Sequence, residues 1–376
     1  MTGRHLLTGR HLLTGRHLLT GRHLLTGALL LSGLVLGVVS AIAQAPVLEW
    51  RPQTIGVTAR LRGVSAVSSR VAWASGANGT LLRTLDGGDL WELLPTPAGA
   101  EKLDFRDIDA ISDRVAYTLS IGSGDPSRIY KTTDGGKSWH LQFANTDPKV
   151  FLDAMAFWDA ERGLAFSDSV DGQFVILGTA NGGRSWDRIP ADRLPPALPN
   201  EGAFAASGTN VAVSGRTHAW IGTTASRVLR TADGGHTWRV TKTPLATGTS
   251  TGIFSIAFRD RQHGVVVGGN YDKEAEARNN AAFTSDGGAT WTLVKDSGLS
   301  GFRSVVAFVP GGRSLIAIGP AGADWSTDEG RTWQPVLAAP SVTSPAGFDA
   351  FSFSPDGTTG WATGSGGRIS RLAILR

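Results

Sequence analysis

The chain has 376 residues, including 49 Gly and 12 Trp, with 18% charged residues and a formal net charge of +4. This composition is typical of an all-β protein with many tight turns. Because the chain contains no Cys, disulfide bonds and Cys-ligated metal sites are excluded.

The chain begins with a low-complexity leader, residues 1–27, in which the hexad Thr-Gly-Arg-His-Leu-Leu occurs four times. Residues 28–43 combine an apolar run with a small-residue cleavage site after Ala43, which is the pattern of a secretory signal peptide. An uncleaved membrane anchor is the alternative, but the apolar run is short for a transmembrane span. We therefore predict a secreted or periplasmic protein with no membrane span after removal of the signal.

Removal of the leader changes the charge of the protein. The leader holds four of the 36 basic residues and no acidic one, which leaves 32 basic and 32 acidic residues in the mature domain. A domain of balanced charge offers no general attraction for a phosphate backbone. Nucleic acid is therefore not an expected partner.

A box of the form Thr-x-Asp-Gly-Gly-x-Thr/Ser-Trp is repeated six times along the mature chain, at intervals of 42 to 53 residues. Asp or Asn can close a turn by bonding to backbone N–H groups, Gly-Gly permits positive φ, and Trp buries a large apolar surface. We therefore interpret the box as a structural hairpin connector. Its acidic or amide residues are Asp86, Asp134, Asn181, Asp233, Asp286 and Asp328, and its tryptophans are Trp91, Trp139, Trp186, Trp238, Trp291 and Trp333.

A second repeated phrase precedes each box and consists of an apolar inner strand, a short turn and a second strand. Its seven copies begin at Leu61, Phe105, Phe151, Phe204, Ile253, Phe302 and Phe348. Residues 47–51 resemble a strand that follows a box, whereas the last copy ends without such a strand. We therefore predict a seven-bladed β-propeller over residues 47–376, with four-stranded blades and a last blade completed by the N-terminal strand. An open β-solenoid is the alternative, but it does not explain the complementary half-blades.

Two insertions interrupt the repeats. Residues 190–200 are rich in Pro and precede the fourth inner strand, and residues 270–280 lie between strands of the fifth blade. Irregular loops on a rigid scaffold are frequent locations of functional residues.

The box resembles the Asp-box, or BNR repeat, of sialidases and other propellers. Over residues 47–374 the chain is similar to the photosystem II stability/assembly factor family and its bacterial relatives, on the basis of the seven inner-strand phrases and the boxes. The resemblance implies a binding or assembly module whose partner is another protein or an envelope complex. We expect a monomer without cofactor or metal.

Several charged side chains fall at equivalent places in the repeats. They are Arg62, Arg106, Arg303 and Asp349 at the second residue of the inner strand, and Asp107 and Asp153 one position further on. Because inner strands converge on the axis of a propeller, we expect these side chains to gather at one mouth of the central channel. They form either a charged rim that binds an anionic group or a polar segment of a partner, or a network of ion pairs between blades.

An enzyme is the alternative to a binding module. A sialidase-like hydrolase needs an arginine cluster, a Tyr nucleophile with a carboxylate base, and an acid. Tyr271 in the second insertion is the sole convincing nucleophile, with Glu274 or Glu276 nearby. An open pocket containing the arginines with Asp153, Glu201 or Tyr271 opposite would favour this alternative, and arginines paired between blades would not.

An oxidoreductase has less support, because no Gly-x-Gly-x-x-Gly sequence enters a helix and no dinucleotide fingerprint is present. The histidines outside the leader lie in different repeats without ligand spacing, so a metal site is unsupported. We therefore assign no catalytic residue.

Overall fold

Seven four-stranded antiparallel sheets form a ring in the computed structural model, which describes residues 47–295, 298–336 and 346–375. The leader, the signal peptide and the cleavage site predicted from the sequence lie outside the described residues. Each inner strand contacts the inner strands of the two neighbouring blades, and the seventh blade contacts the first. The predicted seven-bladed β-propeller is confirmed.

The strands are numbered in chain order, from β1 (Val47–Gln53). Blades 1 to 3 contain β2 (Leu61–Ala66), β3 (Ala72–Gly76), β4 (Leu81–Thr84) and β5 (Glu92–Leu93); β6 (Asp104–Ala110), β7 (Ala116–Ile121), β8 (Arg128–Thr132) and β9 (His140–Ala144); β10 (Leu152–Phe157), β11 (Gly163–Val170), β12 (Gln173–Thr179) and β13 (Asp187–Arg188). Blades 4 and 5 contain β14 (Val211–Ser214), β15 (His218–Gly222), β16 (Arg227–Thr231) and β17 (Arg239–Lys242); β18 (Thr251–Phe258), β19 (Gly264–Asn270), β20 (Ala281–Thr284) and β21 (Thr292–Leu293). Blades 6 and 7 contain β22 (Val305–Phe308), β23 (Leu315–Gly319), β24 (Gly322–Ser326) and β25 (Gln334–Pro335); β26 (Phe348–Phe353), β27 (Thr359–Gly364) and β28 (Arg368–Leu375).

The N-terminal strand closes the ring. Strand β1 pairs antiparallel with β28, from Val47 opposite Leu375 to Gln53 opposite Ile369, and so becomes the fourth strand of blade 7. The buried Trp50 ring stacks on Phe348 of the inner strand at 5.6 Å. Because β1 pairs with β28, the edge of β28 that faces away from β27 is not left unpaired.

The six boxes connect the third and fourth strands of blades 1 to 6 and share one hydrogen-bond pattern. In blade 1, Thr84 Oγ1 donates to Asp86 Oδ1 (2.9 Å) and accepts from Gly88 N (2.8 Å), while Leu90 N donates to Asp86 Oδ1 (3.0 Å). The two glycines of this box have φ values of 89° and 92°, where a side chain would be strained. The pattern is a local turn whose bonding capacity is used within the loop.

Blade 4 departs from the repeat. Its inner strand, expected to begin at Phe204, begins at Val211, and residues 203–209 instead form a segment that we call the plug. Ser207 Oγ donates to the Ser304 carbonyl of blade 6 (2.8 Å), and Thr209 Oγ1 lies 2.7 Å from Ser255 Oγ of blade 5. Blade 5 is the next blade, but blade 6 is not, and the carbonyls of residues 205 and 206 also accept hydrogen bonds from arginines of blades 2 and 1. The plug therefore extends over the central channel.

None of the helices in the described ranges has the length and apolarity that a bilayer span requires. Two short 3-10 turns, Ala191–Arg193 and Ser365–Gly367, are the helical elements of those ranges.

Candidate binding site at the channel mouth

β-Bulges position the side chains at one mouth of the channel. The register shifts at one residue near the start of five inner strands, and a bulge of this kind turns the extra residue away from the regular alternation. The bulge residues are Arg62, Arg106, Asp153, Phe254 and Asp349. All five line one cavity of about 570 Å³, and every blade contributes residues to its lining.

The position of Asp153 corrects the repeat alignment made from the sequence. That alignment placed Asp153 with Asp107, one residue beyond the arginines. In the structure Leu152 is the buried apolar residue that corresponds to Phe105, so Asp153 takes the bulge position of Arg106. The blade 3 phrase therefore begins one residue later than expected.

Two arginines at the mouth hold the plug. Arg62 Nη1 donates to the Ala206 carbonyl (3.1 Å), and Arg106 Nη1 donates to the Ala205 carbonyl (2.7 Å). Arg106 Nε also bonds to Asp104 at 2.7 Å. Burial lowers the pKa of Arg62 to about 10. The guanidinium groups are thus fixed by peptide carbonyls at the edge of the cavity.

Asp349 lies in the cavity as expected, but it is neutralised by two neighbouring arginines. Arg60 donates to its two carboxylate oxygens at 3.0 and 3.1 Å, and Arg62 Nε lies 3.6 Å from Oδ2. This ion pair joins blade 1 to blade 7. The rim therefore combines the two alternatives drawn from the sequence, an open charged surface and an ion pair between blades.

Arg303 does not line the cavity, contrary to the expected gathering of arginines. Its side chain is 2% exposed and turns into its own blade, where Nε donates to Asp324 (2.7 Å) and Nη2 to Ser300 Oγ (2.6 Å). The buried carboxylate of Asp324 offers a stronger partner than solvent at the mouth. Arg303 is a structural residue of blade 6.

Asp107 is also absent from the cavity, because it joins blade 2 to blade 3. Its Oδ2 accepts from Met155 N (2.8 Å), and Asp109 Oδ2 accepts from Phe157 N two residues along (3.0 Å). Burial raises the pKa of Asp107 well above its usual range and the pKa of Asp109 to about 6. Equivalent bonds between blades are Ala110 N to Ser65 Oγ, Ala66 N to Ser352 Oγ and Val306 N to Ser255 Oγ.

An aromatic wall forms another side of the cavity. The Phe204 ring of the plug stacks on Phe254 at 3.8 Å, and Tyr271 of the second insertion meets both rings edge-on at 6.0 Å. Phe302 contacts Phe254 at 4.6 Å. Tyr271 is 44% exposed, which leaves an aromatic surface open to a ligand. The phenylalanines were missed as site residues because apolar inner-strand residues are usually core.

An acidic pair, Asp153 and Asp168, lies on the blade 3 side of the cavity. Asp168 Oδ1 accepts from Ala203 N at 3.2 Å, whereas Asp153 is fully buried and neither of its carboxyl oxygens has a hydrogen-bond partner among the described residues. Burial raises the pKa of each carboxyl group, and the charge of Asp168 raises that of Asp153 further. The sequence signal for Asp168 is an acidic residue directly after the small residue Ser167 that pairs with the inner strand.

The arrangement meets only part of the condition set for an enzyme. Arg62, Arg106, Asp153 and Tyr271 share the cavity, but Glu201 is buried elsewhere and bonded to Arg227 and Thr223. Across residues 47–295, 298–336 and 346–375 no hydrogen bond joins the Tyr271 hydroxyl to a carboxylate, and no three acidic, Cys or His side chains are grouped to hold a metal.

Comparisons with known proteins agree with this fold. The family model described as photosynthesis system II assembly factor YCF48 matches residues 42–148. The fold is similar to a structure of YCF48 bound to D1 peptide, with TM-score 0.60, 20% identity and coverage of 87% of this chain and 97% of the other. A search of the curated proteins finds no significant match.

Two further solved structures show how widely the fold is shared. YCF48 from Cyanidioschyzon merolae has TM-score 0.63 at 19% identity, and the alignment covers 86% of this chain and 99% of the YCF48 chain. The GH74 xyloglucanase from Xanthomonas campestris has TM-score 0.56 at 14% identity, and the alignment covers 86% of this chain and 53% of the xyloglucanase chain. The chain is thus similar to the YCF48 assembly factor family in its first blades and to YCF48 structures in its whole propeller fold, as the sequence phrases indicated.

Proposed function

We propose that this chain is an exported propeller that binds a peptide segment of a partner protein at the channel mouth, as an assembly module of the photosystem II assembly factor-like type. The observation that carries the proposal is the cavity of about 570 Å³ to which all seven blades contribute. A site of this kind exists only in the closed ring, so the scaffold and the site are built together.

The chemistry of the cavity suits a peptide. Arg62 and Arg106 already donate to two peptide carbonyls of the plug, which demonstrates their geometric fit to main-chain acceptors. Arg62 Nε is buried and has no hydrogen-bond partner in the described part of the chain, with Asp349 Oδ2 at 3.6 Å, and the exposed Tyr271 ring borders the same space. Tyr and Arg are the residues that most often dominate the energy of protein interfaces.

The similar structures support the same ligand class. One of them is YCF48 bound to D1 peptide, so a peptide is a ligand that a propeller of this fold accommodates. The signal-like residues 28–43 support an envelope or secreted location for this partner.

The proposal is tested by affinity capture from envelope extract with the full chain, comparing wild type with Arg106→Ala. The matched control is Arg239→Ala, which removes an exposed arginine from the outer strand β17. We expect a specific partner whose recovery falls at least tenfold with Arg106→Ala and is unchanged with Arg239→Ala. Equal recovery with the three proteins would remove the mouth from consideration.

Hydrolysis is the second candidate function, because Tyr271, Asp153 and Glu274 line the cavity and one fold relative is a xyloglucanase. It predicts turnover of a fluorogenic sialoside or of xyloglucan oligosaccharides that is lost in Tyr271→Phe. Absence of turnover in the wild-type chain would exclude this candidate for those substrates.

A further inference from the structure

We infer that Asp168, together with the buried Asp153 of the same blade, forms a subsite for an organic cation, the ammonium or guanidinium group of a Lys or Arg side chain in the bound segment. The inference rests on the proposed function and specifies the charge pattern of the ligand. It assigns a role to the two cavity carboxylates that neither the arginine rim nor the aromatic wall explains.

The site is built from backbone features that fix both carboxylates. The bulge in β10 turns Asp153 towards the channel, and Asp168 follows Ser167 in the adjacent strand β11. Gly202 makes room for Asp168, since a Cβ at that position would lie 1.5 Å from Asp168 Oδ1. Ala203 N of the plug donates to Asp168 Oδ1, and no described residue donates a hydrogen bond to Asp168 Oδ2.

Asp153 provides the second, independent observation. It is fully buried and lines the cavity, and neither of its oxygens has a hydrogen-bond partner among the residues described, because Ala203 N, the backbone donor near both carboxyl groups, bonds to Asp168 Oδ1 at 3.2 Å. A buried carboxyl group without a donor is costly, and such groups in folded proteins call for an explanation. A cation that enters beside Asp168 would supply the missing opposite charge.

The cations already present in the cavity do not serve this purpose. Arg60 is bonded to Asp349, and Arg62 to Ala206 with Asp349 nearby; Arg106 is bonded to Asp104 and Ala205. Neither Asp153 nor Asp168 forms an ion pair with a residue of the described ranges. The remaining charged group of the lining, Glu274, is itself acidic. The blade 3 side of the cavity is therefore an acidic end without a counter-ion in the described chain.

This separation of charge defines the ligand class. The arginine end suits a carboxylate or main-chain carbonyls, the aromatic wall suits an apolar or aromatic side chain, and the acidic end suits a cation. Two carboxylates without a third acidic or His ligand in the described ranges favour an organic cation over a divalent metal. The bound segment is therefore expected to carry a Lys or Arg beside an apolar residue.

The probes are fluorescein-labelled, Ala-based hexapeptides with one Tyr and a free C-terminal carboxylate. One Lys is moved through the sequence, with Arg and norleucine versions of each peptide. Affinities are measured by anisotropy on the full chain and on Asp168→Asn, Asp153→Asn and Asp192→Asn. Asp192 lies exposed on the first insertion and controls for the loss of one negative charge.

The wild-type chain is expected to bind the best Lys or Arg peptide at least tenfold more tightly than its norleucine match. Asp168→Asn should reduce this ratio to about one, while Asp192→Asn retains it. Peptides that bind with equal affinity whatever the cationic residue would overturn the acidic subsite and leave the proposed peptide site standing. If no peptide binds, both the subsite and the proposed function fail.

The Asn substitutions are compatible with folding, because each keeps the shape of a carboxyl group whose ionised form is already disfavoured by burial. Thermal unfolding of Asp153→Asn and Asp168→Asn checks this directly. If Asp168→Asn does not fold, the ratio measured on folded Asp153→Asn decides, and an undiminished ratio there contradicts the inference.

Discussion

Individual side chains join neighbouring blades by accepting hydrogen bonds from the next inner strand. Asp107 is one of the buried members of this group, and removal of its carboxyl group would take away the acceptor of Met155 N. A buried N–H group without an acceptor costs about 1–3 kcal/mol. These side chains therefore hold the ring in register, although several stand at positions that resemble a functional rim.

Asp107→Ala is expected to lower the free energy of unfolding by about 1–3 kcal/mol, because Met155 N loses its acceptor. Asp107→Asn keeps an oxygen at the same place and is the control, with a much smaller loss. Chemical denaturation of the three proteins provides the measurement. Equal stability of wild type and Asp107→Ala would show that this bond does not hold the blades.

The raised pKa of Asp109, about 6 against an ordinary value of 3.8, gives a pH-dependent contribution. The folded chain holds this proton more tightly than the unfolded chain, so the stabilisation is complete below about pH 4 and is lost as the pH rises through about 6. We expect Asp109→Asn to flatten the decline in unfolding free energy across this interval. Parallel pH profiles for wild type and variant would contradict the assignment.

Equivalent repeat positions do not always place their side chains alike. Arg62 and Arg106 were identified because equivalent repeat positions share an environment. Arg303 occupies the same repeat position, yet Asp324 on β24 draws its side chain into the blade. Asp324 lies 21 residues away in the sequence, and no local sequence pattern predicts its pairing with Arg303.

Strand β1 is the element that closes the ring. Its Trp50 packs against Phe348 and Phe351 of the inner strand, so the strand contributes both backbone pairing and apolar burial. The closure was predictable from the sequence because the last repeat lacks a fourth strand and residues 47–51 resemble such a strand.

Trp50→Ala is expected to destabilise the chain by about 3–5 kcal/mol, the usual loss for a buried Trp. Arg51→Ala, which removes an exposed neighbour on the same strand, is the matched control and should cost less than about 1 kcal/mol. The denaturation midpoints of the two variants provide the comparison. Similar losses in both would mean that β1 does not close the core.

The plug shows which element could not be predicted. Residues 203–209 follow an inner-strand phrase in composition, but Ser207 bonds to blade 6 and two carbonyls bond to arginines of blades 1 and 2. Partners this distant in sequence leave no periodic signal. The number of blades could be read from the repeats, whereas the irregular element that shapes the mouth could not.

The two faces of the ring differ in character. The boxes lie at the ends of the third strands and use their polar groups within local turns. The opposite face, where inner strands begin, gathers the bulge residues, the plug and the second insertion. The regular repeats therefore form the scaffold, and the departures from regularity form the candidate site.

Site-specific photo-crosslinking can show whether the partner binds at the channel mouth. A photoreactive phenylalanine replaces Tyr271 at the mouth or, as control, Leu141 on the outer strand of blade 2, which have similar exposed fractions of 44% and 49%. We predict a crosslinked partner from position 271 that is lost when Arg106→Ala is added, and none from position 141. Crosslinking from position 141 but not from position 271 would contradict the account.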